Sequence, residues 1–215
     1  MARVLCLHGL GGTGATMWPL VGHLASADHT AFAPTLPGHG SDPLDLVDVT
    51  WDDWVEAARE WDADVVVGQS MGAVLALVLA SEGRVLGAVV INPLAADPDA
   101  IDGLEWRRSR GTATIDVGPS TVGEVAYESL PIEALLAMHE GLATVDLAAV
   151  DVPVLIVTSA NDDVVDPASS DVVASALGGP VERLRLARSG HVATLDGERD
   201  SVACAIVDFV ARLAR

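Results

Sequence analysis

Lysine is absent from this chain. All twelve cations are arginines, set against 31 aspartates and glutamates, and the formal net charge is −19. A charge this negative repels nucleic acid and anionic membrane surfaces, so neither is expected as a partner. Cysteine is almost as scarce. Cys6 and Cys204 each sit in an apolar run and are expected to be buried thiols, not a disulfide framework. No Cys/His cluster has metal-site spacing, so no metal ligand set is assigned. Long apolar runs are also missing, which excludes a membrane span and stable membrane insertion. Met1-Ala2-Arg3 leads straight into apolar residues from Val4, which leaves no room for a secretory leader; a cytoplasmic location is expected. Half of the 215 residues are apolar, enough for one domain over 1–215 with its own core.

Short β-rich runs alternate with helical patterns. The strand candidates are Arg3–Leu7, Thr30–Ala33, Asp64–Val67, Val85–Ile91, Val154–Thr158 and Glu182–Leu186. Most are near-continuous apolar runs, as parallel strands covered on both faces require. Helices are expected at Trp51–Trp61 behind a Thr50 N-cap, at Met71–Ser81, at Ala168–Leu177 and at Ser201–Arg215 capped by Asp200. This alternation predicts a doubly wound α/β fold with a mostly parallel sheet of about six strands. Residues 94–150, after the fourth predicted strand, break the rhythm. They show no convincing strand and one helical piece, Ile132–Leu142, and are expected to form a cap or lid insertion.

Gly68-Gln69-Ser70-Met71-Gly72 reads G-x-S-x-G between a predicted strand and a predicted helix. The bare pattern is a weak match; the strand–turn–helix context makes Ser70 a candidate nucleophile, because a sharp turn there projects its hydroxyl out of the fold. A serine hydroxyl needs a base to take its proton and a carboxylate to orient that base. Both follow Ser70 in chain order. Asp162, Asp163 and Asp166 share the loop after Val154–Thr158, with Asp162 favoured, and His191 follows Glu182–Leu186. All lie past the carboxyl ends of predicted strands, where α/β folds build their sites. Two backbone N–H groups should receive the oxyanion: that of Met71, directly after the nucleophile, and that of Leu10 in the loop His8-Gly9-Leu10-Gly11-Gly12. This loop lacks the Lys-Ser/Thr pair of a P-loop and the G-x-G-x-x-G spacing of a dinucleotide site, so no nucleotide cofactor is expected.

These residues give the chain a resemblance. With Leu7-His8-Gly9-Leu10, Leu36-Pro37-Gly38-His39-Gly40, Gly68–Gly72, Asp162-Asp163-Val164-Val165 and His191–Asp196, it resembles the α/β-hydrolase superfamily along nearly its whole length. Val125-Ala126-Tyr127-Glu128 ahead of Pro131 and the His191–Asp196 segment resemble the small bacterial carboxylesterases and monoacylglycerol lipases within it. The resemblance implies an acid directly ahead of an x-Val-Val unit, which selects Asp162. It implies a small cap at 94–150 and places Glu105 where a polar lid residue faces the alcohol part of the ester. His39 is expected to be structural. The chain enters at the strand leading to His8, so the superfamily's first two strands are expected to be missing. The elbow also has Ala73 where that family often has a second glycine.

The expected activity is a serine hydrolase cleaving carboxylic esters of short- to medium-chain acids, monoacylglycerols among them, through an acyl-serine and with no cofactor or metal. A thioesterase or acyltransferase with the same triad is the alternative, and a binding module that has lost catalysis is the reading from another class. Met17, Trp18, Met138 and Leu142 are candidate walls of an apolar acyl pocket, or core residues. The expected partner is a small-molecule ester; a monomer or homodimer is expected.

Overall fold

The structure, a computed structural model, describes residues 1–215. Eight strands and seven α-helices follow in order: β1 (Arg3–Leu7), α1 (Trp18–Ser26), β2 (Thr30–Phe32), α2 (Trp51–Arg59), β3 (Val65–Gln69), α3 (Met71–Ser81), β4 (Gly87–Ile91), α4 (Pro98–Ser109), β5 (Thr114–Asp116), β6 (Ser129–Pro131), α5 (Ile132–Leu142), β7 (Val154–Ser159), α6 (Ser169–Ala176), β8 (Val181–Leu186) and α7 (Arg199–Leu213). Six strands form one sheet in the order β2-β1-β3-β4-β7-β8. Every pairing in it is parallel. The six predicted strands are these six, with ends shifted by a residue or two.

Parallel strands need crossovers, and the crossovers place helices on both faces. Side chains therefore alternate between two cores. Leu5, Leu7, Val66, Val90 and Ile156 face one core, shared with α2, α3 and α5. Val4, Cys6, Val67, Val89 and Val157 face the other, shared with α1 and α7. Helix α3 is buried nearly all round, as its apolar sequence requires. Helix α2 opens with a full capping box: Thr50 Oγ1 accepts from Asp53 N, and Asp53 Oδ2 accepts from Thr50 N.

Several expectations are corrected. Residues 94–150 do contain strands: β5 and β6 pair antiparallel, Thr114 opposite Pro131. Each is only three residues long, too short for an alternating pattern to register. Helix α4 also lies there unannounced; it buries no residue, so it has no apolar stripe to read. Helix α7 starts at Arg199, and Asp200 lies in its first turn instead of capping it. Cys204 is exposed, while Cys6 is buried and its thiol is pushed up to about 12 by burial. Of the four residues offered as acyl-pocket walls or core, Met17 lies in the α1–α7 core, Met138 and Leu142 in the α2–α3 core, and Trp18 is exposed.

Helix α5 crosses the Trp51 ring at Gly141, where a Cβ would fall 2.0 Å from Trp51 Cγ. Gly103, within α4, has nothing within 4 Å of that position. Gly141→Ala should therefore destabilise the protein by about 2–3 kcal/mol through overpacking. Gly103→Ala should stabilise it by roughly 0.5–1 kcal/mol by restricting the unfolded chain. Urea unfolding of both variants checks the opposite signs.

Candidate active site

The turn from β3 into α3 is held by close approach. A Cβ on Gly68 would lie 1.9 Å from Gly72 O, and one on Gly72 would lie 2.3 Å from Leu7 O and 2.6 Å from His8 O. Only glycine fits at either position, and the tight crossing forces the residue between them. Ser70 adopts φ 56° and ψ −121°, outside the regions a side-chain-bearing residue prefers. Its amide donates to Ile91 O across the sheet (2.9 Å).

His191 and Asp162 reach the same end of the sheet from the loops after β8 and β7. His191 Nδ1 lies 2.8 Å from Asp162 Oδ2 and 3.0 Å from Oδ1. The Asp162 side chain is 2% exposed and that of His191 13%. Asp162 Oδ1 also accepts from Val164 N and Val165 N, both at 2.9 Å, so the x-Val-Val unit folds back onto the acid. Burial pushes the Asp162 carboxyl up. The His191 contact and the two amides outweigh it and hold the group below the usual carboxylate range. Asp163 is exposed, and Asp166 accepts from Ala168 N instead, so the loop offers His191 one acid. No hydrogen bond joins Ser70 to His191; such catalytic contacts commonly tighten when substrate binds.

The glycine loop after β1 packs on the turn. A Cβ on Gly9 would lie 3.1 Å from Ser70 Cβ and 3.6 Å from Ser70 Oγ. Gly9 O accepts from Gly12 N (3.1 Å) and from His8 Nδ1 (2.8 Å). Because a peptide is planar and trans, fixing Gly9 O also fixes the Leu10 N–H on the other side of that bond. Leu10 N–H has no protein acceptor of its own. Met71 N–H opens α3, where helix geometry offers no i−4 carbonyl. No three His, Cys, Asp or Glu side chains converge as a metal site.

Glu105 is not brought to this cluster. It lies on α4, exposed, with its carboxylate 3.7 Å from Arg108. Glu124 is there instead. It accepts from Thr16 Oγ1 at 2.8 Å and lies 2.9 Å from where a Gly12 Cβ would be. Burial raises its carboxyl above the usual range, partly offset by Thr16 and by the field of His191. Its signal in sequence is only that it directly precedes Val125–Glu128.

Three further ties carry no sequence motif. Asn92, at φ 48° after β4, donates from Nδ2 to His191 O (2.8 Å) and Ser159 Oγ (3.0 Å), and its Oδ1 accepts from Ser159 N (2.8 Å). Gln69 Oε1 accepts from Thr194 Oγ1 (3.2 Å). Glu198 accepts from the amides of Ala187, Arg188 and Ser189, fixing the turn ahead of His191.

His8 is fully buried. Its Nε2 accepts from Leu36 N (3.0 Å), so the proton sits on Nδ1 and the ring is neutral. Burial, then the neighbouring His39, lower its pKa from 6.5 to about 3. The unfolded chain thus binds the extra proton first as pH falls. Stability should be lost below pH ~6.5 at about 1.4 kcal/mol per pH unit for this group, until its folded pKa is reached. His39 and His139, also lowered by burial, act in the same direction. Urea unfolding between pH 4 and 8 should show this slope, and His8→Asn should make it shallower by one proton.

Residues 4–203 match the model of the alpha/beta hydrolase family. A thermostable monoacylglycerol lipase of Bacillus sp. (strain H-257) is 32% identical over 98% of this chain and 91% of its own. A carboxylesterase of Bacillus subtilis (strain 168) is 25% identical over 98% and 92%. The solved structure reported for the metagenome-derived lipolytic enzymes LipS and LipT superposes with a TM-score of 0.87 at 29% identity, covering 98% of this chain and 93% of that one.

Proposed function

Since the chain belongs to the alpha/beta hydrolase family, we propose that it is a carboxylic ester hydrolase in which Ser70 is the nucleophile, His191 the base and Asp162 the acid that orients it. The observation that carries this reading is the buried Asp162 bound to His191 Nδ1 at 2.8 Å, at the end of the sheet where Ser70 is held at positive φ. The relatives named a monoacylglycerol lipase and a carboxylesterase support the substrate class.

His191 Nε2 takes the Ser70 hydroxyl proton as Oγ attacks the ester carbonyl carbon. The carbonyl oxygen becomes an oxyanion and accepts hydrogen bonds from Leu10 N–H and Met71 N–H. The tetrahedral intermediate collapses, His191 protonates the departing alkoxide, and an acyl-serine remains. Water then repeats the sequence and releases the carboxylic acid. Asp162 stays ionised throughout and stabilises the imidazolium.

Residues 94–150 act as a lid over this site. Glu124 is the polar lid group placed toward the alcohol part of the ester. Its carboxylate is held by Thr16 beside the glycine loop, within the electrostatic reach of His191. A hydroxyl-bearing alcohol such as glycerol suits that acceptor better than a plain alkyl group.

Ser70→Ala should lower kcat on p-nitrophenyl butyrate by at least about 10⁴-fold and abolish labelling by a fluorophosphonate probe. Retained turnover or labelling of that variant would exclude Ser70 as nucleophile. Glu124→Gln should raise KM for a monoacylglycerol several-fold more than for the p-nitrophenyl ester of the same acid. Equal effects on both would remove Glu124 from alcohol recognition.

A further inference from the structure

The lid segment contacts both the glycine loop and the Pro-Gly-His-Gly turn. Tyr127 is at their centre. Its backbone amide donates to Gly11 O (2.9 Å), within the glycine loop. Its hydroxyl donates to Gly38 O (3.0 Å) in the Pro-Gly-His-Gly turn and accepts from Ser41 N (3.1 Å) directly after it. Its ring lies parallel to that of His39, with centroids 6.4 Å apart and 6° between planes. His39 in turn meets His8 edge-on at 4.9 Å. His8 Nδ1 donates to Gly9 O, the carbonyl whose peptide carries the Leu10 N–H. Leu130, three residues beyond Tyr127, fills the space over Gly11: a Cβ there would meet Leu130 Cδ2 at 2.8 Å.

Within the loop Gly12 N donates to Gly9 O (3.1 Å), and Gly9 packs on Ser70; Gly11, between them, is held from outside by the Tyr127 amide and Leu130. Glycine has the largest conformational freedom to lose, and Gly11 sits at φ 80°. An oxyanion donor is effective only if it already points at the charge that develops, because reorganisation during reaction offsets the gain. A column running Tyr127–His39–His8–Gly9, together with the Tyr127 amide on Gly11, closes on both sides of Leu10.

We propose that Tyr127 is a positioning residue: from the lid, it braces the glycine loop so that the Leu10 N–H is aimed at the oxyanion. The inference rests on the reading of Leu10 N–H as an oxyanion donor. On this view the lid contributes to transition-state stabilisation as well as to substrate cover, and loosening it costs kcat.

Tyr127→Phe is the test, because it keeps the ring and the backbone and removes only the hydroxyl that bridges Gly38 and Ser41. On p-nitrophenyl butyrate, kcat should fall about tenfold with KM changed less than about twofold. The inhibition constant of an alkyl boronic acid, which forms a tetrahedral adduct on the serine, should weaken by a similar factor. Tyr127→Ala should extend both losses to about 100-fold. Val125→Ser, exposed in the same segment, should change neither. If Tyr127→Phe lowers the melting temperature or raises KM while kcat and boronate affinity hold, Tyr127 is only a packing or substrate-contact residue and the proposal fails. Fluorophosphonate labelling of the wild type separates this from a deeper failure. A labelled wild type with an unaffected Tyr127→Phe overturns the brace alone; an unlabelled wild type overturns the hydrolase reading beneath it, and the brace with it.

Discussion

The close crossing of β1 with the β3–α3 turn is the constraint on which the site depends. Gly72 brings its backbone against the carbonyls of Leu7 and His8, and Gly68 against Gly72 itself. No side chain can enter either gap. The chain must therefore bend within one residue, and Ser70 takes the unfavourable φ. Such a conformation costs on the order of 1–3 kcal/mol and persists only where the surroundings over-determine it. Here they do: β3 is central and wholly buried, and α3 is buried on nearly every side. The same crossing sets the glycine loop after β1 directly against the serine.

Sheet order then decides what else can join. The chain passes from β1 outward to β2, then returns to place β3 on the other side of β1. The loop after β1 leads to α1 on one face of the sheet, and the turn after β3 leads to α3 on the other. Ends that diverge in this way leave a crevice at the carboxyl edge of the sheet. The loops after β4, β7 and β8 approach it from the far side. Asn92 ties those three together by bonding Ser159 and the His191 carbonyl. His191 is thus located by a side chain from a loop other than its own.

Much of the fold was legible, and the reason is burial. Strands covered on both faces must be apolar throughout, so β1, β3, β4 and β7 stand out as runs. The candidate triad was legible for a different reason: a nucleophile on a strand–turn–helix needs glycines at fixed offsets, and its acid and base are expected after later strands in a set order. Where neither pressure acts, reading failed. Helix α4 buries nothing and has no stripe, and β5 and β6 are three residues each. Cys204 sits in an apolar run yet faces solvent, because a helix on the sheet's flank covers only one of its sides. Glu105 stood out as a charge in the segment, but α4 turns that carboxylate toward Arg108, and it is Glu124, without a motif of its own, that lies beside Thr16.

The sequence by itself determined the α/β architecture, the six-stranded parallel sheet and the identity of the candidate nucleophile, acid and base. Each of these follows from local requirements: periodicity, glycine where backbones touch, and residue type at the end of a strand. Only the tertiary structure decided that Glu124 lies beside Thr16 and the glycine loop, which side chains pin the His191 loop, and that Tyr127 reaches back from the 94–150 segment to the glycine loop and the Pro-Gly-His-Gly turn. Those contacts join residues up to 125 positions apart, as between Gln69 and Thr194. No local pattern encodes such a distance, because what selects the partner is the shape left when the sheet, its helices and the 94–150 segment have packed together.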